Sequence, residues 1–284
     1  MINGLFKYFR PDDYSVSRLA ERRVLLTPPK YFNDPWDFRA ERVPVTDHEV
    51  MESFNKFEKE REASEAAGIG LWLPATFVLR EKNDRFEKFK TSVTRSDFQA
   101  AEGSYMQTEL SDIFGVVSLT DDPLNRLMWA HYAEAHRGFV IEFAHGQELK
   151  RDPLEVVVSP FGLAFKVDYQ ATLPKLERKF ENAAKVYCIK HSSWEDEHEW
   201  RVIRMLNEAA PEQINKKTFY LLGFRPEYLL RIIFGLRICP TAKQQLLKML
   251  QKKEFAHVQT ETIVIDRTSG GLIRAPFQEE ATST

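Results

Sequence analysis

Residues 114–143 read FGVVSLTDDPLNRLMWAHYAEAHRGFVIEF, and this stretch decides the fold class. Residues 114–119 form an apolar run of strand length. Asp122 stands where a helix N-cap belongs, and Pro123 takes the first helical position, where its missing N–H costs nothing. Leu124, Met128, Tyr132 and Ala135 recur at helical spacing, and Gly138 follows His136 and Arg137 as a C-terminal stop. In residues 139–143, Phe139, Ile141 and Phe143 point one way and Val140 and Glu142 the other. The spacing therefore predicts a strand, a helix through Arg137 and a second strand. Glu142 is a carboxylate in a run that otherwise reads as buried, so it either pairs with an arginine or lines a cleft.

The whole chain has 284 residues, 43% of them hydrophobic and 12% aromatic, enough to bury a full core. Its formal net charge of −2 gives no overall basic face, so nucleic acid is not indicated as a partner. Cys188 and Cys239 lack metal-site spacing and read as free thiols. The first residues, MINGLFKYFRPDDYS, lack the apolar core of a signal peptide, and no window approaches about 18 uninterrupted apolar residues. A cytoplasmic protein without a membrane partner is the expectation.

Working outward, residues 5–9 read as a first strand, followed by a turn at Pro11 and Asp12 and a helix through Leu19. Residues 24–26 make a second short strand. It runs into PPKYFNDPWDF at 28–38, a loop too rich in proline and Asx for regular structure, whose aromatics beside Asn33, Asp34 and Asp37 make it a site candidate. Residues 47–110 turn to charged, helix-forming sequence and are expected to be a helical insertion with wet faces. Beyond the central unit, residues 154–158 and 163–169 suggest a hairpin through Ser159-Pro160-Phe161-Gly162, and 174–190 a helix on the sheet. The acidic turn at 194–198 enters a strand on which Glu197, Glu199 and Arg201 would share a face. A buried strand at 228–236, a helix at 240–250, a strand at 258–265 and a frayed tail at 278–284 complete the expected chain.

Together these pieces resemble a bacterial family known as a domain of unknown function, number twenty-nine seventy-one. The resemblance rests on Leu5-Phe6-Lys7-Tyr8, Tyr31-Phe32-Asn33-Asp34-Pro35-Trp36-Asp37, Val117-Ser118-Leu119-Thr120, Met128-Trp129-Ala130-His131-Tyr132-Ala133, Gly138-Phe139-Val140-Ile141-Glu142-Phe143 and Glu197-His198-Glu199-Trp200-Arg201. A second resemblance, to ADP-ribosyltransferases, lies in the order Arg10, Ser118-Leu119-Thr120, Glu197-His198-Glu199. It implies that NAD is the substrate: Glu199 would stabilise the cationic ribose, Glu197 would orient or deprotonate the acceptor, and Ser118 would support the glutamate. Arg10 would meet the diphosphate or ribose, and Tyr8, Thr120, Trp129, His131, Tyr132 and Asn33 would surround the dinucleotide. Cleaving the nicotinamide bond passes through an oxocarbenium-like ribose, which a fixed carboxylate stabilises.

The fold expected is α+β, with a mixed, mostly antiparallel sheet, flanking helices and the helical insertion, in one domain over residues 1–284. The leading function is an NAD-consuming, ADP-ribosyltransferase-like enzyme acting on a macromolecular acceptor, by association in bacterial conflict or phage defence. No metal is expected, since His131 and His136, five apart, do not share a helix face. The alternatives are a non-catalytic binding or scaffold protein, in which Trp129, His131, Glu142, Glu199 and Arg201 form a satisfied polar core, and a nuclease or other hydrolase with Asp34, Asp37 and Glu142 on a metal.

Overall fold

A computed structural model describes residues 4–39, 41–43, 47–66, 82–94, 111–146, 148–151, 154–173, 175–177 and 187–278. Ten strands form the main sheet: β1 (Leu5–Phe9), β2 (Phe114–Thr120), β3 (Phe139–Phe143), β4 (Glu148–Arg151), β5 (Leu154–Ser159), β6 (Gly162–Lys166), β7 (Glu199–Met205), β8 (Leu229–Phe234), β9 (Gln259–Ile265) and β10 (Leu272–Pro276). Their spatial order is β10-β9-β8-β3-β1-β2-β7-β6-β5-β4. Every neighbouring pair is antiparallel except β8 and β9. Parallel neighbours need a crossover, and the helix Pro240–Leu250 supplies it. The expected α+β class with a mixed, mostly antiparallel sheet is what the chain adopts.

The helices are α1 (Asp13–Ala20), α2 (Asp47–Ala66), α3 (Lys82–Thr94), α4 (Arg126–His131) and α5 (Pro240–Leu250). Asp12 caps α1 by accepting from the Ser15 amide at 2.7 Å, and Pro240 sits in the first turn of α5. One sheet face is covered by Val16 and Leu19 of α1 and Ala242, Leu246 and Met249 of α5, packed on Leu5, Val117, Ile141, Trp200, Val202 and Ile232. Each such buried aliphatic side chain contributes about 1.5–3 kcal/mol. On the opposite face Phe6, Tyr8, Trp129, Val140 and Ile233 form a second cluster.

The helix inside 114–143 is shorter than its spacing predicts. Asn125, not Asp122, is the cap, accepting from the Met128 amide at 3.0 Å, while Asp122 closes a local turn onto the Leu124 amide at 2.8 Å. The helix stops at His131, and Glu134, Ala135 and His136 are all left-handed, with φ of 47, 53 and 68°. Gly138 is required for close approach instead of helix termination: a Cβ there would lie 2.0 Å from the Phe9 carbonyl oxygen.

Two other expectations change. The helix expected over 174–190 is contradicted at both described ends, because Lys175–Glu177 is a strand paired with Glu41–Val43, and Ile189–His191 is a strand paired in parallel with Asp168–Gln170. Residues 178–186 lie outside the described residues, as do 67–81 and 95–110 of the expected insertion and the tail from 279. In the described part of that insertion the faces are not all wet: Phe54 meets Phe86 at 5.1 Å, and Glu58 and Arg85 are buried together. A hairpin of Ala210–Ile214 and Lys217–Gly223, extended by Arg23–Leu26, adds a three-stranded sheet that the sequence reading did not foresee.

Candidate functional site

The main sheet is split between β1 and β2. The two strands pair at a single position, Phe6 opposite Thr120, whereas β2 pairs along its whole length with β7. Where β1 turns away, Thr27 bridges to Val116 and the 28–33 segment enters the gap. A cavity of about 420 Å³ lies there, walled by Phe6, Lys7 and Tyr8 on one side and Ser118, Leu119 and Thr120 on the other.

The base of the cavity is ionic. Strand alternation sends Trp200 and Val202 of β7 to the core and Glu199 and Arg201 to the cavity side, as the period-two reading expects. Arg201 grips Glu199 with two bonds, Nε to Oε1 at 3.0 Å and Nη2 to Oε2 at 2.9 Å, and reaches Asp37 Oδ1 at 2.8 Å. It is fully buried, with the rings of Phe32 and Phe38 at 5.4 and 5.0 Å and a further bond from Nη1 to the Tyr187 carbonyl. Lys190 donates to Glu197 Oε2 at 2.5 Å and Glu199 Oε2 at 3.1 Å, with Asp37 at 3.9 Å. Three buried carboxylates therefore share two buried cations.

Glu197 arrives by a different route from the one its sequence spacing suggests. It ends the 3-10 turn Ser192–Glu197, and His198, left-handed at φ 47°, separates it from the strand. Thr120 pins this turn by donating its hydroxyl to the Glu197 carbonyl at 2.8 Å, and Tyr132 donates to Glu197 Oε1 at 2.6 Å. Asn33 in turn donates to the Tyr132 hydroxyl at 3.2 Å, which ties the 28–38 loop to the end of α4.

The two glutamates are pushed apart electrically. Burial drives the Glu199 carboxyl upward, but Arg201 and Lys190, with help from the Ser118 hydroxyl, overcome it and hold the group well below the usual carboxylate range. Burial also raises Glu197, and here Lys190 opposes it without reversing it while the charge of Glu199 adds to it. Lys190 is desolvated yet held firmly as an ammonium by Glu199, Asp37 and Glu197. Lys7, by contrast, is lowered to about 8 by desolvation, which Glu199 only partly offsets.

Residues 128–202 match the model of a family described as Protein of unknown function (DUF2971). Over this segment, about a quarter of the chain, the sequence is similar to the DUF2971 family. The matched segment carries the end of α4, Lys190, the Ser192–Glu197 turn and the start of β7, and so most of the ionic base of this cavity. No curated protein and no solved structure matches the chain.

Of the residues singled out in the sequence, Tyr8, Arg10, Asn33, Ser118, Thr120, His131, Tyr132, Glu197 and Glu199 line this cavity. Arg201 and Asp37 lie just beneath it. His131 is exposed at the cavity instead of packed in the core. Trp129 is not available to a ligand: it is fully buried, stacks on His136 and donates to the Pro123 carbonyl at 2.9 Å. Glu142 lies elsewhere, paired with Arg231 and, at 3.5 Å, with Arg274. Asp34 accepts from the Trp36 amide at 2.9 Å and shapes the loop. Asp34, Asp37 and Glu142 thus do not converge, and among the described residues no three His, Cys, Asp or Glu side chains are grouped for a metal ion. Sequence reasoning passed over Lys190, whose signal was a cation beside the apolar Tyr187-Cys188-Ile189 run. Cys188, beside Arg201, is pushed up to about 12 by burial and stays a thiol.

Proposed function

We propose that the cavity cleaves the nicotinamide–ribose bond of NAD and passes the ADP-ribosyl group to an acceptor. The observation that carries this reading is the pair Glu197 and Glu199 in one cavity, with environments that drive their ionisation in opposite directions. Two carboxylates so separated divide the labour of an acid–base reaction, one remaining ionised and the other free to exchange a proton. As the bond from the ribose C1 to the nicotinamide nitrogen breaks, its electron pair leaves with nicotinamide and positive charge develops on the ribose. The ionised Glu199 faces that charge. Glu197 takes the proton of the acceptor nucleophile as its new bond to C1 forms. Ser118 and Arg201 position Glu199, and Tyr132 positions Glu197.

One observation favours a second reading, in which the cluster is structural: both oxygens of Glu199 are already taken by Arg201, and one of them also by Lys190. Nicotinamide release by the purified chain, with and without cell lysate as acceptor, decides between the two. The transferase reading expects release by wild type and a loss of about 100-fold or more in Glu199→Gln, with Glu197→Gln losing transfer to acceptor more than release. Absence of release under every acceptor, with Glu199→Gln losing thermal stability alone, leaves the structural reading standing.

A further inference from the structure

The charges around the cavity do not balance. Asp37, Glu197 and Glu199 are all engaged by Lys190 and Arg201, and none lies within ion-pair distance of Lys7. Among the described residues the Lys7 ammonium has one hydrogen-bond acceptor, the Ser118 carbonyl at 3.0 Å. Arg10, three residues on at the end of β1, also lines the cavity with no carboxylate partner among the described residues. Two lysines thus share one cavity in opposite circumstances: Lys190 is surrounded by acids, and Lys7 reaches across the split to a neutral oxygen.

We propose that Lys7 is an anion-binding centre, and that the molecule bound in the cavity places a phosphate oxygen against its ammonium. A desolvated ammonium with no acid in contact, its burial only partly offset by the more distant Glu199, is costly, and a ligand that brings an anion into contact recovers that cost. A lysine serves phosphate as a compact point charge with three donors, and Arg10 beside it matches the second negative charge of a phosphate. The titratable groups that line the cavity with Lys7 are Glu199 from β7, Glu197 from the 3-10 turn, Lys190 from its short strand, His131 at the end of α4 with Tyr132 after it, Tyr8 of β1 with Arg10 after it, and Tyr31 from the loop. The acids among them are held by Lys190 and Arg201, so the phosphate meets Lys7 without displacing an existing pair. Because the free amine sits near neutrality, phosphate binding is linked to proton uptake, and affinity falls as pH rises through about 8. The inference deepens the NAD reading but rests on the cavity alone, and neither of its readouts involves nicotinamide release.

The test is trace acetylation of the intact chain with acetic anhydride across neutral and alkaline pH, read residue by residue by mass spectrometry, alone and with inorganic pyrophosphate or ADP-ribose. In the chain without a probe, Lys7 is expected to label with a midpoint near 8. Either phosphate probe should slow that labelling several-fold and move the midpoint upward, while adenosine, which has no phosphate, should do neither. By calorimetry Lys7→Met should weaken pyrophosphate binding about tenfold, a change of about 1.4 kcal/mol. Lys7→Arg should keep binding and remove its decline above pH 8. Pyrophosphate that binds without altering Lys7 labelling, equal affinity in Lys7→Met, or no binding of either probe would overturn the proposal. Pyrophosphate binding with no response to ADP-ribose would uphold it and count against the NAD reading.

Discussion

Among the described residues, charge is buried in two regions, and the two are assembled on different arithmetic. In the α2–α3 pair, the Glu58 carboxylate is held by the Arg85 guanidinium through bonds to both oxygens, with Arg61 at 3.4 Å as a further cation. Burial pushes Glu58 upward, yet Arg85 and Arg61 bring it below its ordinary value, and its cations close over it. Under the cavity, three carboxylates divide two cations, and a third cation, Lys7, has no acid within ion-pair distance among the described residues. A buried ion pair alone therefore does not mark a site. What distinguishes the second region is that its charges are unevenly shared and open onto a space a molecule can enter.

The sharpest way to break this comparison is to remove the two arginines in turn. Arg201→Leu leaves Asp37 and Glu199 buried without their shared partner and is expected to cost about 5 kcal/mol, the upper end for breaking a buried pair. Arg85→Leu leaves the Glu58 carboxylate with Arg61 alone and should cost about 3 kcal/mol, with the proposed NAD turnover and pyrophosphate binding unchanged. Urea denaturation measures both. The double variant Glu58→Leu/Arg85→Leu should recover most of the loss, whereas Glu199→Leu/Arg201→Leu should recover less, because Asp37 loses its close partner and keeps only Lys190 at 3.9 Å. Equal recovery in both would erase the distinction.

Two smaller effects sharpen it. Tyr132→Phe deletes the 2.6 Å bond to Glu197 and should cost about 1.5 kcal/mol, as for a hydrogen bond to a charged acceptor. That bond helps to lower the Glu197 carboxyl, so its loss raises the group further, and the acidic limb of the proposed NAD turnover should move to higher pH. The smallest expected effect comes from Lys7. Its amine is lowered to about 8 from an ordinary 10.5, so between these values the folded chain holds fewer protons than the unfolded one. Stability should rise as pH climbs through that window, and Lys7→Met should flatten the rise.

Much of the sheet was legible because its signals are local. The strand at 5–9 and the helix at 240–250 match the sequence reading residue for residue, one from a short apolar run with turn residues after it and the other from Pro240 and its helical spacing. The site was half legible. Glu199, Arg201, Ser118 and Thr120 could be paired with a strand face by period two, but the partner of Glu142 could not be chosen, since Arg231 reaches it only through the β3–β8 register, 89 residues away in sequence. Lys190 was lost because residues 189–191 form a strand only by pairing with a segment some twenty residues earlier, and nothing nearby announces that pairing. Lys7 was read only as part of a family signature. Its environment depends on where β1 parts from β2, a property of the sheet and not of the strand.

The single pairing of Phe6 with Thr120 has a mechanical side. It divides ten strands into two half-sheets of five, joined along their common seam at one point. Such a seam transmits load poorly compared with a full ladder, so the two halves have a natural line about which to flex. A molecule that touches Lys7 and Tyr8 on one wall and Ser118 on the other is a strut across that line. Its arrival would be registered by the backbone of both strands, as slower amide exchange along β1 and β2, before any bond is made or broken.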